Sequence, residues 1–273
     1  MKNEIPQKVG LSINDEGNEV LILKKYLRKY GYLSDEKTES GSARILMHVI
    51  TDTNQIKPVF DEKTENALMK YQEFYGLKMT KVLDEDTINQ MSLPRCGAPD
   101  IKRMNAEADR TLIGKWNKEN LTYKIENYLD GFEKRNIQEA ISSAFSVWSN
   151  VIILTFTEVK EETVADIVIK FASGVHGDNR PFDGPGQTVA HTFDPPPINE
   201  SSIAGDIHFD SEESWTLDVS GSGIDLIAVA IHEIGHSLGL KHSNVKDSIM
   251  FPDYTGKRNL HSTDIIEIKK LYH

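Results

Sequence analysis

The chain has 273 residues, 38% of them hydrophobic and 27% charged, which is the composition of a globular protein long enough for two domains. Its formal net charge of -11 argues against nucleic acid or an anionic membrane surface as a partner. No apolar run is long enough to span a bilayer, and the single cysteine excludes an internal disulfide.

Residues Met1 to Gly10 lack the hydrophobic core of a secretory signal. The chain then stays inside the cell, leaves by another route, or follows a leader that precedes Met1. From about Asn18 to Met91 the pattern is that of a small helical module. Val20, Leu23, Tyr26, Leu27 and Tyr30 fall at helical spacing, and Gly31 supplies a C-terminal stop. Asp61 is placed to cap a second helix that carries Ala67, Leu68, Tyr71 and Phe74 and ends at Gly76. Asp84 is placed to cap a short third helix with Ile88 and Met91. Between the first two helices, Ser34 to Lys57 is polar and without period, an exposed loop of the kind proteases nick first. The polar, charged stretch from Asp100 to Asn120 reads as a linker.

From Leu121 the pattern changes. Leu121 to Ile125 and Ala165 to Phe171 alternate as half-buried strands. Between them Ile137, Ala140, Ile141, Ala144, Phe145 and Trp148 mark an amphipathic helix. Loop-rich segments follow, then a helix over the histidine motif, then a closing helix through Ile265, Ile268, Leu271 and Tyr272. Strands followed by helices predict an α+β domain.

The strongest chemical signal is His232-Glu233-Ile234-Gly235-His236-Ser237-Leu238-Gly239-Leu240-Lys241-His242, which reads H-E-x-x-H-x-x-G-x-x-H. Helical residues four apart are offset by roughly 40° around the axis, so His232 and His236 project from one face. Both imidazoles reach one zinc ion, with Glu233 beside them as general base. Gly239 lets the chain leave the helix through a left-handed or otherwise tight turn and return His242 as a third ligand. Three protein ligands leave one tetrahedral position open, the mark of a catalytic site. The bland alternative is a surface helix that happens to carry histidines. Against it, the preceding run Ile224 to Ile231 is nearly all apolar, so the helix is buried and its charged end needs a purpose.

The zinc motif, followed by Ser243 and then Ser248-Ile249-Met250-Phe251-Pro252, resembles the metzincin pattern with its methionine turn. Ser243 after the third ligand makes it similar to the matrixins, the matrix metalloproteinase family. Pro94-Arg95-Cys96-Gly97-Ala98-Pro99-Asp100 resembles that family's cysteine switch, normally P-R-C-G-V-P-D, with Ala98 the one change. The resemblance covers almost the whole chain. It implies an α+β architecture: a three-helix, peptidoglycan-binding-like propeptide over 1–93, the switch and linker over 94–120, and a catalytic domain over 121–273. That last domain should hold a twisted mixed sheet with three helices.

The implied activity is that of a latent, monomeric zinc endopeptidase acting on protein or peptide substrates. Resemblance implies an extracellular location, with the cytoplasm as the alternative because no signal peptide is visible. Cys96 in the fourth zinc position would close the site, since a thiolate is a better ligand than water. Arg95 and Asp100 are close enough in sequence to pair and hold that loop, as in the family. With Cys96 gone, zinc would lower the pKa of a water towards about 7. Glu233 would take its proton and later pass it to the leaving amine. Met250 is expected beneath the metal as a packing floor rather than a ligand. Lys102-Arg103 is only a dibasic pair, so the sequence does not name an activating protease.

Further metal sites follow from the same resemblance. His176, Asp178, His191 and His208 match a structural zinc site, whose four ligands would close it to chemistry. Asp183, Gly184, Gly186 and Thr188 with Asp210 and Glu213 resemble a calcium site built from carboxylates and backbone carbonyls, an acidic turn being the alternative. A further calcium site would use Asp166 and Asp206, although Ser202 and Ala204 stand where glycines are usual. Ala228, four residues before His232, is small and predicts a deep or wide pocket for a large apolar P1′ side chain. In the closing helix the usual tandem aspartates become Thr263-Asp264, which puts a salt bridge to the mature N-terminus in doubt. Nothing resembling a haemopexin-like domain follows, so flexible segments are expected substrates before triple-helical collagen. Two other functions stay open: a metal-stabilised binding module without activity, and attachment to peptidoglycan through residues 18–91. Loss of Glu233 or a ligand would have marked the first, and all four side chains are present.

Overall fold

The computed structural model describes residues 5–34, 56–101, 114–160 and 162–273. The expected exposed loop lies, over 35–55, outside the described residues, as do 102–113 of the expected linker with Lys102-Arg103. The chain divides into two compact units.

The first unit holds residues 1–93, 99–103 and 175–181. Helix α1 (Asn18–Lys29) buries Val20, Leu23, Tyr26 and Leu27, and Gly31 takes φ 91° just beyond it. A side chain at Gly31 would meet the Ile101 carbonyl oxygen at 2.0 Å, so only glycine fits there. Helix α2 (Glu62–Phe74) is capped by Asp61, whose carboxylate accepts from the Thr64 N–H at 2.8 Å. Helix α3 (Glu85–Met91) repeats the device with Asp84 and Thr87 at 2.9 Å. Each such cap is worth about 1 kcal/mol. Tyr26, Tyr30, Tyr32, Tyr71 and Tyr75 pack ring against ring in the core. Asp100 accepts from the Tyr32 and Tyr75 hydroxyls at 2.8 and 3.2 Å.

The second unit holds residues 94–98, 104–174 and 182–273. Its strands are β1 (Arg95–Cys96), β2 (Asn120–Ile125), β3 (Thr155–Glu158), β4 (Ile167–Ala172), β5 (Thr188–Thr192) and β6 (Ile207–Asp210). They form one sheet in the order β1-β5-β6-β4-β2-β3, parallel throughout except for the antiparallel β5–β6 pair. Strands β7 (Trp215–Thr216) and β8 (Ile224–Asp225) pair separately. Helices α4 (Lys134–Ser149), α5 (Leu226–Ser237) and α6 (Ser262–Leu271) complete an α+β domain with a mixed sheet and three helices. β2 and β4 bury alternate residues, as their sequences predict, whereas all five residues of β5 are buried. Trp148 of α4 is fully buried and donates its indole N–H to the Ile231 carbonyl at 2.9 Å, tying α4 to α5.

Candidate active site

Helix α5 starts where Asp225 accepts from the N–H groups of Ile227 and Ala228 at 2.9 and 3.3 Å. Arg258 holds the other carboxylate oxygen at 2.6 Å. The helix ends in a Schellman turn: Gly239 takes φ 103°, its N–H donates to His236 O, and the Leu240 N–H donates to Gly235 O. A side chain at Gly239 would meet the Gly114 carbonyl oxygen at 2.0 Å. The turn brings His242 back, so that the ring centroids of His232, His236 and His242 lie 4.6 to 5.3 Å apart.

Two of these rings have their tautomers set from behind. Nδ1–H of His232 donates to Ile249 O at 2.7 Å and Nδ1–H of His236 to Leu240 O at 2.8 Å, because a carbonyl only accepts. That leaves each Nε2 with the lone pair a metal needs. Ile249 is itself held by Asp264, which accepts from its N–H at 2.9 Å, from the His261 N–H at 2.8 Å, and from the Ser248 hydroxyl. Met250 packs under the helix against Gly235.

Cys96 reaches the same point from β1. The Arg95 N–H donates to Gln187 O at 2.7 Å, the Cys96 N–H to Pro252 O at 2.9 Å, and the Gly97 N–H to Ala190 O at 2.8 Å. Tyr254 N–H returns a bond to Pro94 O at 2.8 Å. The segment is thus a strand held on both sides, and one ligand atom from each of Cys96, His232, His236 and His242 lies within 4.8 Å of the others. Burial pushes the Cys96 thiol well up, the charge of Glu233 adds to this, and the Ala98 N–H opposes it. A bound cation would invert that balance. Three imidazoles and a sulfur at this spacing are a donor set that could hold a zinc ion.

Glu233 is fully buried, and its Oε2 accepts from the Thr192 hydroxyl at 2.6 Å. Ala228, Val229, Val189, Glu233 and Ile249 line a cleft that also touches Cys96 and Tyr254.

The remaining sequence-predicted ligands are spread over both units. His191 and His208 face each other across β5 and β6, with ring centroids 5.3 Å apart. His176 and Asp178 lie in segment 175–181, which groups with the first unit, their Nε2 and Oδ2 atoms 2.7 Å apart. In the second unit Asp183 accepts from Thr188 N–H at 3.1 Å, and Glu213 accepts from Gly186 N–H at 2.7 Å, which closes the Gly184–Gly186 turn. Asp210, at the end of β6, accepts from Glu212 N–H at 2.9 Å. Asp166 accepts from Thr122 N–H at 2.8 Å and pairs with Lys118, while Asp206 accepts from Val168 N–H at 2.8 Å. Sequence reasoning passed over Thr192, Gly97, Gly235 and Ile249. Gly97, Gly235 and Ile249 stand inside the quoted motifs without a role of their own, whereas nothing in the sequence marks Thr192.

Convergent imidazoles on a buried helix and its following turn, with a carboxylate between them, form a donor set that could hold a zinc ion. A profile of the matrixin family matches residues 115–273, and one described as a putative peptidoglycan binding domain matches 16–91. The chain belongs to the matrixin family. It is 40% identical over 256 residues to interstitial collagenase of Equus caballus, an alignment covering 93% of this chain and 49% of that protein. It is 36% identical over 277 residues to matrilysin of Rattus norvegicus, covering 98% of this chain and 92% of the relative. Interstitial collagenase of Bos taurus is 44% identical over 207 residues, 75% of this chain and 42% of that protein. The chain therefore spans about half the length of the collagenases it matches. Among the described residues, no helix is long and apolar enough to cross a membrane.

Proposed function

We propose that this matrixin is a latent zinc endopeptidase whose own Cys96 blocks its metal. The observation that carries this is the buried sulfur grouped within 4.8 Å of the three imidazole ligand atoms. A tethered ligand acts at an effective concentration on the order of millimolar, so a single coordinating bond suffices to exclude water. His232, His236 and His242 hold the metal, the first two oriented by their carbonyl partners. Zinc held there supplies Lewis-acid polarisation of a carbonyl and acidifies a water. Glu233 would accept the proton of an attacking water and return it to the leaving amine, so no covalent enzyme intermediate would be needed. The cleft beside Ala228 receives the side chain that follows the scissile bond. Substrates are proteins or peptides met outside the cell, in keeping with the names of the relatives.

Residues 1–93 serve as propeptide, 94–120 as switch and linker, and 121–273 as catalytic domain. His176, Asp178, His191 and His208 hold a structural zinc, a reading supported by their donor chemistry. The Asp183 to Thr188 turn with Asp210 and Glu213 holds calcium, supported by the carboxylates that converge on that turn. The match of 16–91 to a putative peptidoglycan binding domain favours a second role, attachment to cell wall. Co-sedimentation of the full chain with purified murein tests it, and failure to pellet removes it.

The main test is cleavage of a quenched fluorescent peptide with leucine after the scissile bond, before and after a thiol-modifying mercurial. Silence that turns to activity with mercurial or in Cys96→Ala, and never in Glu233→Ala, is the expected result. Activity from the start would overturn the latch, and no activity in any zinc-loaded form would favour a binding module.

A further inference from the structure

The contact between Thr192 and Glu233 has no place in the scheme above. Thr192 is the last residue of β5, next to His191, so the two side chains point to opposite faces of the sheet. His191 faces His208, while Thr192 faces α5. Its hydroxyl lies 2.6 Å from Glu233 Oε2 and 3.2 Å from the Glu233 carbonyl oxygen. A hydroxyl has one proton, and the shorter contact to a charged acceptor takes it. Both residues are buried, Thr192 at 4% exposure and Glu233 at 0%, so water does not compete for this bond.

We infer that Thr192 is a positioning residue: its hydroxyl occupies one oxygen of the Glu233 carboxylate and locks the side chain so that the group faces the place held by the Cys96 sulfur. A glutamate has three rotatable side-chain torsions, and a base that must meet a water within hydrogen-bond reach gains from having them fixed. β5 is well suited to fix them. It is pinned by backbone pairing to β6, with Thr192 opposite Ile207, while α5 carries Glu233 on a helix anchored by Trp148. The hydroxyl therefore joins two rigid elements at the catalytic carboxylate. Without it, Glu233 keeps its place in the chain and loses its aim.

This inference rests on the peptidase reading, and the experiment separates the two. Thr192→Val keeps the shape and removes the hydroxyl; Thr192→Ser restores a hydroxyl at the same atom. After mercurial activation, Thr192→Val is expected to lose about tenfold in kcat with KM within about twofold of wild type. Thr192→Ser is expected to recover most of the loss. Zinc content by metal analysis should stay equal in all three. The second readout needs no activity: urea unfolding of the chelator-treated protein in a double-mutant cycle of Thr192→Val and Glu233→Ala. The Val substitution should lower the midpoint clearly more in wild type than in the Glu233→Ala background, where only the contact to the backbone carbonyl of residue 233 is left to lose. Thr192→Val as fast as wild type, a loss in KM alone, a Ser variant as slow as Val, or no coupling in the cycle would each overturn the inference. Activity surviving in Glu233→Ala would instead overturn the peptidase reading, and this inference with it.

Discussion

A Cβ placed on Gly235 would lie 2.4 Å from the sulfur of Met250 and 3.0 Å from the Trp148 ring. The zinc helix therefore sits directly on its methionine floor, with no room for one more carbon. Gly235→Ala should overpack this contact, costing about 1–3 kcal/mol. Because the displaced helix carries His232 and His236, zinc affinity should fall as well. Thermal melting of the metal-free protein and competition with a chelator measure the two effects.

Asp264 reaches His232 through one intermediate residue. It accepts the Ile249 N–H, and the Ile249 carbonyl in turn accepts from Nδ1–H of His232. Removing this buried carboxylate strands the Ser248, Ile249 and His261 donors, each worth about 1–3 kcal/mol when unsatisfied. Asp264→Ala should unfold at markedly lower urea and bind zinc less tightly, with Asp264→Asn intermediate.

Gly97 is the point of closest approach between the Cys96 segment and β5. A side chain there would meet Thr188 Cγ2 at 2.7 Å and His191 Cβ at 3.2 Å, so the switch strand approaches β5 as closely as glycine allows. Gly97→Ala should raise activity before mercurial treatment and leave the activated rate unchanged. Each 1.4 kcal/mol of lost seating corresponds to about tenfold in the open fraction. Peptide cleavage by the untreated variant reads it directly.

The acidic turn predicts a pH effect with a definite sign. Burial first, then neighbouring carboxylates, push Asp210 up to about 6 and Glu213 up to about 7. Both values lie above those of an unfolded chain, about 4. The metal-free folded state then holds protons the unfolded chain has released, so this contribution is full below about pH 4 and is lost as pH rises through 6 to 7. Melting temperature in chelator should therefore drop across that window, and calcium should flatten the drop. A calcium-independent profile would argue against a cation at this turn.

Much of this architecture was legible from residue pattern. Asp61 and Asp84 announced their helices because a cap is a local event between residues three apart. Gly239 announced its turn for a similar reason: only glycine relieves φ 103° at a helix end. β2 and β4 alternate because one of their faces is less buried than the other. β5 hides from that test because every residue in it is buried, and β1 hides because two residues held by backbone bonds leave no side-chain period. Thr192 was invisible for a third reason. Its partner lies 41 positions away, and nothing local marks a threonine that will meet a glutamate.

Strand β1 has one more consequence. It covers the outer side of β5, taking up the carbonyls of Gln187 and Ala190. Were β1 to leave, those acceptors would form an open sheet edge, ready to template any extended chain that arrives. A substrate strand is one such visitor and another copy of the enzyme is a second. On the proposed latch, the strand that would silence the metal would thus also be a cover against self-association, and storage in the latent form would favour solubility.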